Sequence, residues 1–228
     1  MSKHIQEYIQ ETQKWEGSLK GQFRFETISW LGRTFGSRKP KLKKEGANLL
    51  HLGSGHNAHE GWVNADFFNY RIKFWAREYR PDWMLDFRYP FKCEDNVWDG
   101  VFSEHTFEQI HPHHVFNVLQ ELHRTMKPGA WLRIVVSDVE KYVNYYKGTQ
   151  SGAEFAKWPN PTVALRTISQ NFFHVSLWDV KLFTEFLEAV GFVNIEKVDF
   201  MQGSDPRMLV DHPERQWESL YIEAQKPQ

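Results

Sequence analysis

The stretch LLHLGSGHNAHEGWVNAD, residues 49–66, decides the fold of this 228-residue chain. Its apolar start runs directly into Gly53-Ser54-Gly55, and a second short apolar segment ends on Asp66. This order predicts a buried strand, a glycine turn and a second strand that finishes in a carboxylate. Glycine suits such a turn because its backbone adopts positive φ without strain and lets a ligand lie close.

The spacing of these residues indicates which ligand the turn would hold. A carboxylate at the tip of the second strand can accept two hydrogen bonds from the vicinal hydroxyls of a ribose. Gly53, Gly55 and Ala58 also satisfy the G-x-G-x-x-A pattern of dinucleotide-binding domains. That class places a full helix, which binds a pyrophosphate, before its acidic residue, but Asp66 follows Ala58 too soon for such a helix. The spacing therefore favours a ribose-containing ligand without pyrophosphate and disfavours a nicotinamide-dependent dehydrogenase.

The composition is that of a globular protein with little net charge. Charged residues make up 25% of the chain and hydrophobic residues 41%, and the formal net charge of -1 gives no global attraction for nucleic acid or an acidic membrane. The single cysteine, Cys93, excludes an intramolecular disulfide. The N-terminus has no signal-peptide pattern, and no run of about eighteen apolar residues predicts a membrane span. We therefore expect a cytoplasmic protein.

Short apolar runs alternate with helical spacings from residue 46 onward. We predict strands over residues 48–52, 62–66, 83–86, 98–103, 130–136, 193–200 and 219–224. One helix stops at Lys127-Pro128-Gly129 and has an apolar face of Val115, Val118, Leu119, Leu122 and Met126. A later helix opens at the box 176–179, ends at Gly191 and has an apolar face of Phe183, Phe186, Leu187 and Val190. This alternation predicts an α/β fold around a largely parallel sheet.

Residues 1–45 are predicted to form an N-terminal helical extension, and residues 46–228 the main domain. Apolar spacing predicts a helix over residues 2–20, with Gly17 and Gly21 bracketing its end. Residues 33–44 hold six basic residues and no acidic one. Such a run is typical of a solvated linker or flap, and a contact for a phosphate-bearing substrate is the alternative.

Two segments are candidate walls of a cleft. The insertion at residues 67–83 interleaves basic and aromatic side chains, which can grip a phosphorylated sugar, stack a nucleobase or lie on a membrane surface. A covering helix whose aromatic residues pack on the sheet is the plain alternative. Residues 202–217 precede the last strand and are placed to close one side of the cleft.

Five segments in this order resemble class I S-adenosylmethionine-dependent methyltransferases: LLHLGSG, GWVNAD, LDFRYPFKCEDNVWDGVFSEHTFEQI, LQELHRTMKPGAWLRIVVSD and FLEAVGF. The resemblance covers about residues 46–226 and extends to small bacterial methyltransferases associated with polysaccharide gene clusters. It implies a Rossmann-like, seven-stranded, mostly parallel sheet with helices on both faces. The last strand would be antiparallel and inserted beside the sixth.

The resemblance also implies which residues hold S-adenosylmethionine. Gly53-Ser54-Gly55 would pass under the methionine part, Asp66 would hold the ribose hydroxyls, and Phe67 would lie against the adenine. Asp86 would accept from the adenine amino group, the Phe87 amide would meet a ring nitrogen, and the sulfonium would be bordered by Ser103 and Glu104. The chain departs from the family at His51, where many members have an acidic residue, and at Asn57, where a third glycine is common.

Three residues are candidates for catalysis. His105 follows the fourth strand, where the cleft should open, and histidine is the natural general base near neutral pH. His174 precedes the late helix and can reach the cleft from the other side, with a hydrogen-bonding or packing role as the alternative for both histidines. Asp138 follows the fifth strand, where it would orient a histidine, bind a substrate hydroxyl or, as we favour, cap a helix. Glu108 is predicted to be a structural hydrogen-bonding residue.

The sequence thus predicts a methyltransferase that acts on a hydroxyl of a sugar, sugar nucleotide or capsule precursor. A cofactor-binding module without catalysis and a nucleic-acid methyltransferase are the alternatives, although the near-neutral charge gives no reason to expect nucleic acid. No metal is expected. His111, His113 and His114 surround Pro112 at a predicted helix start without a familiar ligand spacing, which favours a solvated helix entry over a metal site.

Overall fold

A seven-stranded sheet forms the centre of the computed structural model, which describes residues 19–36, 39–67, 81–149, 152–158 and 160–228. Its strands are β1 Leu49–Leu52, β2 Val63–Asp66, β3 Trp83–Met84, β4 Trp98–Glu104, β5 Met126–Ser137, β6 Val193–Val198 and β7 Ser219–Gln225. The strand order is β3-β2-β1-β4-β5-β7-β6. Strands β1 to β5 are parallel, and β7 runs antiparallel to both β5 and β6. The predicted α/β sheet, with its last strand inserted beside the sixth, is confirmed.

Helices flank this sheet. In the described ranges they are α1 Leu19–Leu31, α2 Pro112–Thr125, α3 Val139–Tyr146, α4 Pro161–Gln170 and α5 Val180–Val190. Helices α2 and α5 pack together on one face, because their apolar stripes enter the main core. On the other face, residues 199–217 cover the sheet with two short 3₁₀ helices, and Met208 packs against Phe102, Val135 and Tyr221. No helix in these ranges is long and apolar enough to cross a membrane.

Several predicted boundaries are wrong. Helix α2 ends at Thr125, so that Lys127-Pro128-Gly129 lies inside β5 rather than ending the helix. Helix α5 begins after Asp179, whose carboxylate accepts from the Leu182 amide at 2.7 Å, while Ser176 donates to the Phe107 carbonyl instead. At α5 the cause is a tertiary contact, since the Ser176 hydroxyl that would cap the helix is bonded to Phe107 instead.

The N-terminal predictions are tested only in part. The helix predicted over residues 2–20 lies mostly outside the described residues, as does most of the insertion at 67–83. Helix α1 runs from Leu19 through Gly21, so the chain is helical at Gly21, whereas Gly17, the other predicted limit of the helix end, lies outside the described residues. A π-helical turn, Gly32–Gly36, follows α1, and residues 39–48 form no helix or strand. The basic run therefore begins in a helical turn and continues as an irregular segment.

A buried cluster of charged side chains attaches residues 199–217 to the second face of the sheet. The Arg133 guanidinium lies on β5 with no exposed surface, and it donates to both oxygens of Asp211 at 2.7 and 2.6 Å and to Glu223 Oε1 at 3.0 Å. It also donates to the carbonyls of Gln202 and Asp199. One side chain of the sheet thus holds the covering segment at Asp199, Gln202 and Asp211, and its positive charge faces two buried carboxylates.

We expect Arg133→Met to lower the free energy of unfolding by about 3–5 kcal/mol, because two buried carboxylates would lose their partner. Urea unfolding followed by circular dichroism measures this change. Lys39→Ala, which removes an exposed ion pair with Glu94, is the control and should leave the unfolding midpoint almost unchanged. Equal effects of the two substitutions would contradict a structural role for the cluster.

Candidate active site

The glycine turn at the end of β1 is closed by backbone hydrogen bonds to β2. The Gly53 and Ser54 amides both donate to the Ala65 carbonyl, at 2.8 and 3.1 Å. Gly53 has φ +74°, and a Cβ built on it would overlap the Thr106 hydroxyl. Position 53 therefore requires glycine for its backbone conformation and also for space. No helix lies between Leu52 and Val63, as the short spacing before Asp66 predicts.

Asp66 joins the glycine turn to the end of β2. Its Oδ2 accepts from the Gly55 amide and its Oδ1 from the Phe67 amide, each at 2.6 Å. Burial raises the pKa of this carboxyl, and the two backbone hydrogen bonds partly oppose the rise. The carboxylate predicted to bind ribose thus stands directly beside the turn predicted to pass under the ligand.

Asp86 stands next to Asp66, because the Leu85 amide donates to the Asp66 carbonyl at 3.0 Å. The Asp86 carboxylate is buried and accepts from the Ser29 hydroxyl at 2.5 Å and from Arg88 Nη2 at 2.6 Å. Burial alone would raise the pKa of Asp86, but the hydrogen bonds from Arg88 and Ser29 lower it overall. Helix α1 therefore reaches the predicted adenine end of the site.

Two phenylalanines flank these carboxylates. The Phe67 ring stacks on Phe25 of α1, with ring centroids 4.4 Å apart. Phe87 is partly buried and packs against the main core. The contacts from Phe25 and Ser29 were not predicted, because these residues lie far from the turn in sequence and their types carry no signal for it. Arg88, two residues after Asp86, is a partner that the sequence could have indicated.

The end of β4 presents its side chains to opposite faces of the sheet, as successive strand residues do. Ser103 is completely buried, and its hydroxyl has no hydrogen-bond partner in the described part of the chain. Glu104 Oε1 accepts from the His212 amide at 3.0 Å. Glu104 thus anchors the 199–217 segment, which brings that segment to the edge of the sheet where the predicted cleft opens.

His105 is held between two partners. Its backbone has φ +49°, an uncommon conformation for a residue with a side chain. Its Nδ1 lies 3.0 Å from Glu108 Oε1, and its Nε2 lies 3.0 Å from the Ser219 hydroxyl. Sequence reasoning missed Ser219, which begins β7 far along the chain. Both ring nitrogens of this candidate base therefore already have hydrogen-bond partners.

Glu108 is the hydrogen-bonding residue that the sequence predicts. Its carboxylate is completely buried and accepts from the Ser137 amide at 2.6 Å. Burial alone would raise the pKa of Glu108, but the hydrogen bond to His105 and the charges of His105 and His174 lower it overall. Its carbonyl also accepts from the Val175 and Ser176 amides. Glu108 thus ties together the ends of β4 and β5 and the segment before α5.

The other two catalytic candidates lie at the same edge. His174 is buried, and its Nδ1 lies 2.8 Å from the Ile168 carbonyl, to which it donates. Asp138 is the N-cap of α3 and accepts from the Glu140 amide at 3.0 Å, which is the capping role favoured from the sequence. Its Oδ2 lies 3.7 Å from Lys197 Nζ. The fold thus brings His105, His174 and Asp138 to one end of the sheet.

His51 occupies the position where many members of the family that the sequence resembles have an acidic residue. Its ring is buried, stacks on His59 with a centroid distance of 4.6 Å, and lies tilted against Phe102 with a centroid distance of 5.2 Å. Burial, aided by neighbouring His59, lowers the pKa of His51 to about 3. The residue beneath the glycine turn is therefore neutral at physiological pH, and it cannot supply the negative charge of the usual carboxylate.

This shift makes stability depend on pH. The unfolded chain protonates His51 below its ordinary pKa of 6.5, whereas the folded protein does so only near pH 3. The free energy of unfolding should therefore fall as pH falls from 6.5 towards 3, by up to about 1.4 kcal/mol per pH unit from this residue. We expect His51→Phe to flatten this slope in urea unfolding between about pH 7 and about pH 5. His113→Phe, at an exposed position, should retain the slope of the unmodified protein. Equal slopes for His51→Phe and the unmodified protein would contradict the low pKa of His51.

The three neighbouring histidines lie at the start of α2. His111 is the N-cap residue, Pro112 is the first helical residue, and the His113 and His114 rings lie 4.0 Å apart. Among the residues for which the structure gives positions, no group of three or more His, Cys, Asp or Glu is arranged to hold a metal ion.

Comparison with known proteins identifies the fold. No protein-family model matches the chain, and no curated protein sequence matches it. An S-adenosylmethionine-dependent methyltransferase from Archaeoglobus fulgidus matches in structure, with a TM-score of 0.50 and 17% identity, over 96% of this chain and 99% of that one. The chain has the fold of an S-adenosylmethionine-dependent methyltransferase.

Two further solved structures are similar. One is a possible exported protein from Bordetella parapertussis, with a TM-score of 0.50 and 12% identity, over 92% of this chain and 68% of that one. The other is the Haemonchus contortus phosphoethanolamine N-methyltransferase 2 in complex with phosphomonomethylethanolamine and S-adenosylhomocysteine, with a TM-score of 0.46 and 16% identity. The match covers 91% of this chain but only 53% of the Haemonchus protein, so this chain spans about half its length. At such identities the likeness concerns the fold alone.

Proposed function

We propose that this protein binds S-adenosylmethionine and transfers its methyl group to a small acceptor. One observation carries the proposal: a carboxylate, Asp66, lies within hydrogen-bond distance of a positive-φ glycine turn at the carboxyl ends of two adjacent parallel strands. In open α/β sheets, ligands bind at this edge. With no helix between β1 and β2, the turn has no helix N-terminus for a pyrophosphate, which favours this cofactor over a dinucleotide.

The Asp66 carboxylate has free acceptor positions for the ribose of this cofactor. A carboxylate has about four acceptor positions, and each Asp66 oxygen uses one of them for a backbone amide, which leaves acceptors for two ribose hydroxyls. In the same scheme Gly53-Ser54-Gly55 lies under the methionine part and Phe67 against the adenine. The Phe87 amide would meet the adenine edge, and the backbone at Ser103 and Glu104 would border the sulfonium. Asp86 would accept from the adenine amino group only if it released a hydrogen bond from Ser29 or Arg88, which now fill its acceptor positions. The Ser103 hydroxyl is buried without a hydrogen-bond partner among the described residues, so it could meet a ligand only if the side chains that cover it moved.

The chemistry divides between cofactor and protein. The bound sulfonium supplies the activated methyl group, and the protein supplies alignment and removal of a proton from the acceptor. We propose His105 as the base, because the Glu108 carboxylate at Nδ1 would orient its ring and stabilise its protonated form. An acceptor hydroxyl would then take the place of the Ser219 hydroxyl at Nε2. His174 is the second candidate, and Asp138 supports the site by capping α3.

For the acceptor, we propose a hydroxyl of a sugar, sugar nucleotide or capsule precursor. This rests on the sequence resemblance to methyltransferases of polysaccharide gene clusters. Near the start of β7, Trp217 packs against Tyr142, Phe155 and Trp158, and Lys157 Nζ lies 4.2 Å from the Trp217 ring centroid. Tyr142 and Phe155 are buried in this cluster, so only its partly exposed members Trp158 and Trp217, with the exposed Lys157, are open to an acceptor.

We expect Asp66→Ala to weaken the binding of S-adenosylhomocysteine by about 1–3 kcal/mol, because the ribose hydroxyls would lose their acceptor. Isothermal titration calorimetry measures the affinity, and circular dichroism checks that the variant is folded. Asp179→Ala removes a carboxylate that caps α5 away from the turn, and it should keep the affinity of the unmodified protein. Failure of the unmodified protein to bind the ligand, or unchanged affinity in Asp66→Ala, would refute the proposed cofactor site.

We expect His105→Ala to lower turnover by about a hundredfold or more without changing cofactor affinity, because the general base would be lost. Transfer of labelled methyl groups to a panel of sugars and sugar nucleotides provides the assay. His113→Ala, at an exposed histidine, should retain full turnover. Near-normal turnover of His105→Ala would exclude His105 as the base.

A further inference from the structure

Helix α1 presents a row of large apolar side chains to solvent. Leu19, Phe23 and Trp30 are 84%, 76% and 56% exposed. Their spacing of four and seven residues places them on one stripe of an α-helix, which we call the α1 ridge. Large apolar side chains that are contiguous on a surface usually mark an interaction site, whereas single ones do not.

The α1 ridge lies opposite the face by which α1 is attached to the domain. Ile28 and Ser29 are the residues of α1 that are buried, and Ser29 donates to Asp86. Phe25 stacks on Phe67 on the same inner side. Since the inner face already provides the attachment, the ridge is not needed for packing on the described part of the chain.

Positive charge accompanies the ridge. Lys20 and Arg24 each follow a ridge residue by one position, and neither has an ion-pair partner among the described residues. The acidic residue of α1, Glu26, is neutralised by Arg88 at 2.5 Å. Beyond α1 come Phe35, which is 78% exposed, and the basic residues Lys41, Lys43 and Lys44. Helix α1 thus combines exposed aromatic rings with Lys20 and Arg24, which have no carboxylate partner among the described residues.

We propose that the α1 ridge docks on an anionic lipid surface. Trp, Phe and Leu side chains enter the headgroup boundary of a bilayer, and flanking Lys and Arg side chains pair with anionic headgroups, which is the combination present on α1. A second copy of the chain fits less well, because a two-fold contact through the ridge would place Lys20 and Arg24 of both copies in one interface, where the α1 carboxylate, Glu26, is already paired with Arg88. Docking leaves the Ser29–Asp86 contact undisturbed, since the two lie on opposite sides of α1. The proposal goes beyond the proposed methyl transfer and does not depend on it.

The test is flotation of the full chain with lipid vesicles, in the absence of any cofactor. Vesicles of phosphatidylcholine with about one third phosphatidylglycerol should carry the protein upward, and pure phosphatidylcholine vesicles should carry far less. Raising the salt from about 0.1 M to about 1 M should weaken the association, because the Debye length falls from about 10 Å to about 3 Å. Equal binding to both vesicle types, or no binding to either, would overturn the proposal.

Matched variants assign the binding to the ridge. Phe23→Ser/Trp30→Ser should abolish flotation, and Lys20→Gln/Arg24→Gln should weaken binding roughly 30-fold, as expected for the loss of two cations near an anionic surface. Tyr146→Ser changes an aromatic residue on α3 that is 56% exposed, and it should bind like the unmodified protein. Circular dichroism confirms that all variants fold.

Two further results would count against the ridge. Undiminished flotation of Phe23→Ser/Trp30→Ser would place the lipid-binding surface elsewhere. The unmodified protein could instead fail to bind vesicles and form dimers whose amount rises with protein concentration in sedimentation experiments. If Phe23→Ser/Trp30→Ser then stayed monomeric, the partner of the ridge would be a second copy of the chain.

Discussion

The hydrogen bond from the Gly55 amide to the Asp66 carboxylate is the constraint on which the candidate site depends. It closes a connection between β1 and β2 that contains no helix, and the bonds from Gly53 and Ser54 to Ala65 fix the same turn. Burial raises the pKa of Asp66, so a charged carboxylate there requires the backbone amides as partners. The arrangement keeps a carboxylate and bare glycine backbone side by side at the ligand-binding edge of the sheet.

Two buried carboxylates organise the rest of that edge. Glu108 links His105, the Ser137 amide and the segment before α5, so one residue sets the positions of both histidine candidates. Asp86 links the domain to α1 through Ser29 and Arg88. Burying a carboxylate without hydrogen-bond partners costs folding free energy, so the partners of Glu108 and Asp86 stabilise the folded protein. The extension is thereby attached where the adenine of the proposed cofactor would lie.

The sequence predicted the sheet well because its signals are local. The segments that form β1, β4 and β7 are short and rich in apolar residues, and their order along the chain limits the topology. It predicted helix ends poorly. Lys127-Pro128-Gly129 resembles a helix end but lies inside β5. Ser176 resembles a helix start, but its hydroxyl donates to the Phe107 carbonyl. Local signals name candidates for a boundary, and packing selects among them.

By itself, the sequence determined the strand–turn–strand unit, the absence of a helix within it and the carboxylates Asp66 and Asp86 that follow two strands. These features depend on residues that are close together in the chain. Only the tertiary structure decided that Ser219 meets His105, that Ser29 meets Asp86, that Arg133 gathers Asp211 and Glu223, and that the outer face of α1 remains uncovered. These contacts join positions that are far apart in sequence, and neither residue type nor spacing distinguishes them before the chain folds.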